Sequence, residues 1–210
     1  MKPDEIKFYP TSVIPNTELC KLYKQGKYKP LESKDIQKLI TETFLHVIPP
    51  YTRIKRLIRD IPANEIVAGS KITNLSQLMH NEIQKNADTG KFDIKAFYDR
   101  LYSKYSLCKT VKDFLTENKK GKTQTFVIGS KPDTNSLRNY VCLDTRSREI
   151  RNKPVSKDAL HASHEANLII RKYDSSVGEE YFISFEDELG YLYGFTRLLL
   201  PNPEDIVEIK

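Results

Sequence analysis

The stretch Ile48–Pro62, IPPYTRIKRLIRDIP, decides how the rest of the chain is read. Pro49 and Pro50 end whatever precedes them, since neither donates a backbone hydrogen bond and Pro50 restricts Pro49. Arg53, Lys55, Arg56 and Arg59 then stand among Ile54, Leu57, Ile58 and Ile61 before Asp60 and Pro62 close the run. Two readings compete. In one, a strand over Arg53–Pro62 buries its aliphatics and lines a rim with guanidinium groups, whose fixed forks match phosphate oxygens. In the other the arginines are ion-paired to neighbours, with Arg59 and Asp60 forming a structural pair.

Upstream, Ser33 caps a helix to about Val47, with Ile36, Leu39, Ile40, Phe44 and Val47 on one stripe. Helix, short connection, strand is the rhythm of an α/β unit. Further back, Glu5–Ile14 reads as a strand and Asn16–Tyr28 as a short helix ending at Gly26. The tail Lys24–Lys29 interleaves cations with Tyr28, which suits either phosphates and a stacked base or a solvated helix end. Downstream, Asn74 caps a helix carrying Leu75, Leu78, Met79 and Ile83.

Beyond the turn-rich Asn86–Gly90, the residues Ile94, Phe97, Tyr98, Leu101, Tyr102 and Tyr105 repeat at helical spacing. A second short helix is expected over Thr110–Asn118 and a strand over Thr125–Ile128. The loop Asn118–Thr123 is not a P-loop, because the first glycine and its spacing are missing. Tyr140–Ile150, YVCLDTRSREI, reads as a strand. His161 and His164 in the polar stretch after it can share a metal with Cys142, one ligand short of an ordinary zinc set. Asn167–Tyr173, Glu179–Phe185 and Tyr191–Leu200 read as antiparallel strands, with Glu186–Gly190 as the last turn.

Net charge is +6, but it is unevenly spread. Residues 1–85 carry +5, residues 86–175 carry +7 and residues 176–210 carry −6. A basic body joined to an acidic end favours a polyanion such as RNA, though a solvated surface has a similar count. No run approaches a membrane span, and the N-terminal MKPDEIKFYP lacks the apolar core of a secretory signal. Three distant cysteines form no disulfide framework, so a reducing cytoplasm is expected. The sequence contains no CxxxCxxC, GxGxxG, GxSxG or HExxH.

Several short motifs occur in a set order: Tyr9–Ile14, Gly26–Tyr28, Pro49–Arg53, Arg59–Pro62, Asn74–Leu75, Cys142–Glu149, Phe182–Asp187 and Gly194–Leu198. Together they resemble the middle of the catalytic subunit of Elongator, a radical-SAM tRNA acetyltransferase, over residues 1–85 and about 142–200. The resemblance implies an α/β fold class. The C-terminal part of a radical-SAM partial barrel would occupy 1–85, followed by a largely helical insertion at 86–141. An inter-domain linker would span 142–175, and the first antiparallel strands of a GNAT-like acetyltransferase would follow at 176–210. It implies wobble-uridine chemistry with acetyl-CoA, S-adenosylmethionine and a 4Fe-4S cluster. The cluster cysteines would lie upstream of Met1 and the acetyl-CoA loop downstream of Lys210. No cofactor is therefore assigned within the chain, and zinc on Cys142, His161 and His164 stays open.

What carries over is a tRNA-facing surface of Lys7, Lys27, Arg53, Arg56 and Arg59, with Arg146 and Arg148 added. Partners implied are tRNA, Elongator-like proteins or a second copy, and no membrane. The rival reading is a non-catalytic interaction module that keeps the domain junction.

Overall fold

The computed structural model describes residues 3–59, 61–72, 74–88, 100–101, 105–108, 112–113, 124–128, 142–150, 166–187 and 190–203. The chain divides into two compact units. One comprises Glu5–Ile48 and Arg53–Phe92. The other gathers Met1–Asp4, Pro49–Thr52 and Asp93–Lys210.

In the first unit, β1 (Glu5–Lys7) pairs in parallel with β2 (Arg53–Arg56). Parallel strands need a crossover, which α1 (Glu18–Lys24) and α2 (Ser33–His46) provide. α3 (Leu75–Asp88) follows. Thr17 fixes the start of α1: its hydroxyl accepts from Cys20 N–H at 3.2 Å and donates to Ile14 O at 2.7 Å. We expect Thr17→Ala to cost about 1 kcal/mol, read as a lower urea midpoint with unchanged slope.

The apolar stripe of α2 is narrower than its sequence suggested. Ile36, Ile40 and Phe44 are buried, whereas Leu39 is 58% and Val47 68% exposed. On α3 the buried set is Leu75, Met79 and Ile83, again at steps of four. Phe44 stands between the elements, with ring centroids 6.2 Å from Phe8 and 6.4 Å from His80.

Both strands expected here are shorter than read. β1 stops at Lys7 ahead of Pro10, and Val13 instead makes an isolated antiparallel bridge to Ala68. β2 ends at Arg56, whose carbonyl accepts from Phe8 N–H at 2.8 Å. A three-residue partner cannot carry a ladder to Pro62.

The second unit holds a five-stranded sheet in the order β3-β4-β5-β6-β7. Its strands are β3 (Tyr105–Cys108), β4 (Gln124–Ile128), β5 (Asn167–Asp174), β6 (Gly178–Glu186) and β7 (Leu192–Pro201). The β3–β4 pair is parallel and the remaining pairs are antiparallel. The three late strands thus fall where the sequence was read as antiparallel strands, and β5, ahead of residue 176, pairs along its whole length with β6.

Two expectations fail locally. Tyr105, counted with the helical aromatics, opens a strand, while Ile94, Phe97, Tyr98 and Tyr102 lie outside the described residues. The segment read as a strand over Tyr140–Ile150 carries a short helix, α4 (Thr145–Arg148). Asp144 caps it by accepting from Ser147 N–H at 3.2 Å. A carboxylate ready to satisfy an end N–H favours the turn over the strand.

Candidate nucleic-acid interface

The β1–β2 ribbon brings cations together by register. Glu5 stands opposite Arg53, Ile6 opposite Ile54, and after a bulge Lys7 stands opposite Arg56. Ile54 is buried, Arg53 half-buried, and Lys7, Lys55 and Arg56 exposed. This matches a strand with one aliphatic anchor and a charged rim more closely than a strand buried whole. Glu5 tempers the rim: Lys55 Nζ donates to its carboxylate at 2.9 Å. That hydrogen bond, with the nearby charges of Arg53 and Lys7, holds the Glu5 carboxyl below its ordinary range. Within β1 and β2 four cations, Lys7, Arg53, Lys55 and Arg56, stand with the one carboxylate of Glu5.

Arg59 lies three residues beyond β2 and is exposed. It lines a hollow of about 50 Å³ together with Lys71, Ser12 and Ser70. Ile58, Ile61, Ile66 and Ile72 form its apolar wall. Gly69, next to Ser70, lets the Thr11–Ser12 backbone approach closely: a Cβ there would meet Thr11 O at 3.0 Å, and its φ of +106° suits glycine. Asp60, the counter-ion that the sequence offers Arg59, lies outside the described residues.

The other expected residues are placed differently. Lys27 is exposed on the turn after α1, outside the ribbon. Arg146 is exposed on α4, in the second unit. Arg148 must be withdrawn from any phosphate-facing set, because its side chain is wholly buried. Its guanidinium donates to Leu143 O at 2.9 Å, Gly190 O at 3.2 Å and Pro50 O at 2.6 Å. It also lies 2.9 Å from a Glu186 carboxylate oxygen.

The remainder of that buried network escaped the sequence reading. Arg171 makes a two-point contact with Glu186, at 2.6 and 2.9 Å, and donates to Leu101 O at 3.1 Å. Ser184 donates to Glu186 at 2.7 Å. Burial alone would raise the Glu186 pKa. The charges of Arg148 and Arg171, with hydrogen bonds from Arg171 and Ser184, outweigh burial and bring it down to about 2. Lys71 and Ser70 were missed as well; their only signal was a cation beside a small residue in a loop.

Among the described residues no set of cysteines fits an iron–sulfur cluster. Cys20 and Cys142 are both buried and belong to different units. Among the described residues no three His, Cys, Asp or Glu side chains gather as metal ligands. The expected co-ligands His161 and His164 lie outside the described residues. No helix among the described residues is long and apolar enough to cross a membrane.

Comparison with known proteins adds a family frame to this geometry. Residues 3–85 match the Radical_SAM C-terminal domain. The chain is similar to a tRNA uridine(34) acetyltransferase of Methanocaldococcus jannaschii, 39% identical over 85 residues, covering 40% of this chain and 16% of that protein. A tRNA uridine(34) acetyltransferase of Methanocaldococcus infernus is 28% identical over 200 residues, covering 95% of this chain and 28% of the relative. Elongator complex protein 3 of Danio rerio is 28% identical over 204 residues, covering 97% of this chain and 27% of the relative. The chain thus spans less than a third of the length of these relatives.

Proposed function

We propose, from the match of residues 3–85 to the Radical_SAM C-terminal domain and from the similarity to tRNA uridine(34) acetyltransferases and Elongator complex protein 3, that the β1–β2 ribbon holds tRNA during modification of the wobble uridine. The observation that carries this reading is the register that sets Lys7 opposite Arg56, with Arg53 and Lys55 beside them on one ribbon. Phosphate contacts of this kind fix orientation rather than read sequence. Lys27 and Arg59 extend the surface within the same unit. Arg146, on α4 of the other unit, is a separate candidate contact with tRNA. The task assigned to these residues is to bind and orient the anticodon arm, and no chemical step is routed through them. The resemblance supports reading β6 and β7, within residues 176–210, as the opening strands of a GNAT-like sheet. It also supports S-adenosylmethionine, a 4Fe-4S cluster and acetyl-CoA as the cofactors of the whole activity.

The test is tRNA binding by fluorescence anisotropy, run across a salt series with an Arg53→Ala/Arg56→Ala variant beside the parent. A protein that neutralises several phosphates loses affinity steeply with salt. We expect the double variant to bind roughly tenfold to a hundredfold more weakly at low salt, with a salt slope shallower by about 2. A well-folded parent that does not bind tRNA sinks the proposal.

A second reading, that of a protein-interaction module, is favoured by β7. This strand is the outer edge of its sheet, and Phe195, Leu198, Leu199 and Leu200 along it are 43–48% exposed. An exposed apolar edge is a ready surface for another chain. Binding that persists in high salt with a protein partner, and not with tRNA, would select this reading.

A further inference from the structure

The hollow beside Arg59 has chemistry that the ribbon lacks. Two cations, Arg59 and Lys71, line one small space with two hydroxyls, Ser12 and Ser70. Among the described residues no hydrogen bond or ion pair engages the side chain of either cation. Ser70 is set up as a donor. Its Oγ accepts from Ser33 Oγ at 3.1 Å and from Ile72 N–H at 3.3 Å. A serine hydroxyl has two lone pairs and one proton. With both lone pairs engaged, the proton is left for an incoming acceptor.

Size selects the ligand. A space of about 50 Å³ holds roughly three to five water molecules. A single phosphate group, small and anionic, suits a hollow of this size lined by two cations and two hydroxyls. The isoleucine wall lowers the local dielectric, which strengthens the pull of both cations on an anion. The opening segment is held in place by the Val13–Ala68 bridge, with Val13 N–H to Ala68 O at 2.9 Å and Val67 N–H to Val13 O at 2.8 Å. The hydroxyl of Ser12 and the cation of Lys71 therefore sit on a braced frame.

We propose that this hollow is a seat for a single backbone phosphate, clamped by Arg59 and Lys71 and hydrogen-bonded by Ser12 and Ser70. As a seat for tRNA it rests on the reading of the ribbon as a tRNA platform. Its role is to fix the register of the strand that the ribbon attracts.

Two measurements on the full chain test it. In the first, tRNA binding is followed across the salt series for Arg59→Ala/Lys71→Ala, with Lys34→Ala/Lys38→Ala on exposed positions of α2 as the comparison. Two cations on one phosphate predict a slope shallower by about 1, against about 2 for two separate phosphates. In the second, inorganic phosphate is titrated into the labelled chain, and the amide resonances of Ser70, Lys71 and Ile72 are followed by NMR. We expect saturable shifts in the parent and none in Arg59→Ala/Lys71→Ala. A drop of about 2, no drop, or an equal drop in the α2 variant overturns the single-phosphate seat. In those cases the platform stands or falls on the Arg53→Ala/Arg56→Ala result. If the parent does not bind tRNA, the platform fails and the phosphate titration alone decides the seat. Shifts that the variant abolishes uphold it, and their absence overturns it.

Discussion

Replacing Glu186 by glutamine should destabilise the second unit by about 3–5 kcal/mol, read as a large drop in urea midpoint. Glu186 has no exposed surface and neutralises two buried guanidiniums, those of Arg148 and Arg171. Glutamine keeps the shape and removes the charge, so both cations are left in the interior without a counter-charge. A typical domain has only about 5–15 kcal/mol in reserve, so this single change removes much of it. An apolar replacement of all three charged residues should not restore stability, although such swaps often succeed elsewhere. The two guanidiniums also satisfy the carbonyls of Leu143, Gly190, Pro50 and Leu101, and an aliphatic core would leave those unpaired. A Glu186→Gln variant within 1 kcal/mol of the parent would show that the network is dispensable.

The same carboxylate makes stability depend on pH. Its folded pKa, about 2, is below the ordinary carboxylate value of 4.5. Its contribution is therefore complete above about pH 4.5 and disappears as the pH falls toward 2. The shift corresponds to stabilisation on the order of 3 kcal/mol. Glu186→Gln should flatten the acid limb of the stability profile between those limits.

Gly178→Ala is expected to cost about 3 kcal/mol or more and to separate β6 from β7 at the open end of their hairpin, away from the connecting turn. Gly178 has φ +153° and pairs with Pro201. A Cβ there would lie 2.1 Å from Leu200 O and 2.8 Å from Pro201 Cα, both backbone atoms of the neighbouring strand. No rotamer change relieves such an overlap, so the strands must move apart. Gly194→Ala on β7 is the matched control, since nothing lies within 4 Å of its Cβ position. That variant should stay within about 0.5 kcal/mol of the parent. Equal melting temperatures for the two variants would refute the steric account.

Local pattern carried the reading where local physics decides the outcome. β5, β6 and β7 were legible as short apolar runs, Leu168–Ile170, Tyr181–Phe185 and Leu198–Leu200, bounded by polar or turn residues, and α2 and α3 because their apolar residues recur every three to four positions. Arg53–Pro62 was overextended, since strand length is set by the partner, and β1 offers only three residues. Over Tyr140–Ile150 the apolar start suggested a strand, while the Asp144 cap settled a turn of helix. Arg148 was misplaced because an arginine's burial depends on distant partners: its carbonyl acceptor on Pro50 is 98 residues away. Arg171 and Glu186, fifteen residues apart, look like ordinary surface charges until the hairpin brings them face to face. The cationic ribbon was legible in part, and the hollow beside it was not. Ser12, Arg59 and Lys71 are brought together by a bridge and a glycine contact that no local window contains.

The second unit is assembled from three separated stretches, and this bears on how the protein is made. During synthesis the first unit can close once Phe92 has emerged, before most of the second exists. Tyr51, which stacks on Tyr173 at 3.9 Å, must wait for its partner, and Asp4 waits across 193 residues for Arg197. At 5–20 residues per second that last interval is roughly ten to forty seconds. Arg197 follows Phe92 by 105 residues, so for roughly five to twenty of those seconds the ribosome holds a finished first unit while the second is incomplete. The order of translation, rather than equilibrium stability alone, therefore sets the window in which this chain is open to chaperones and to misassembly.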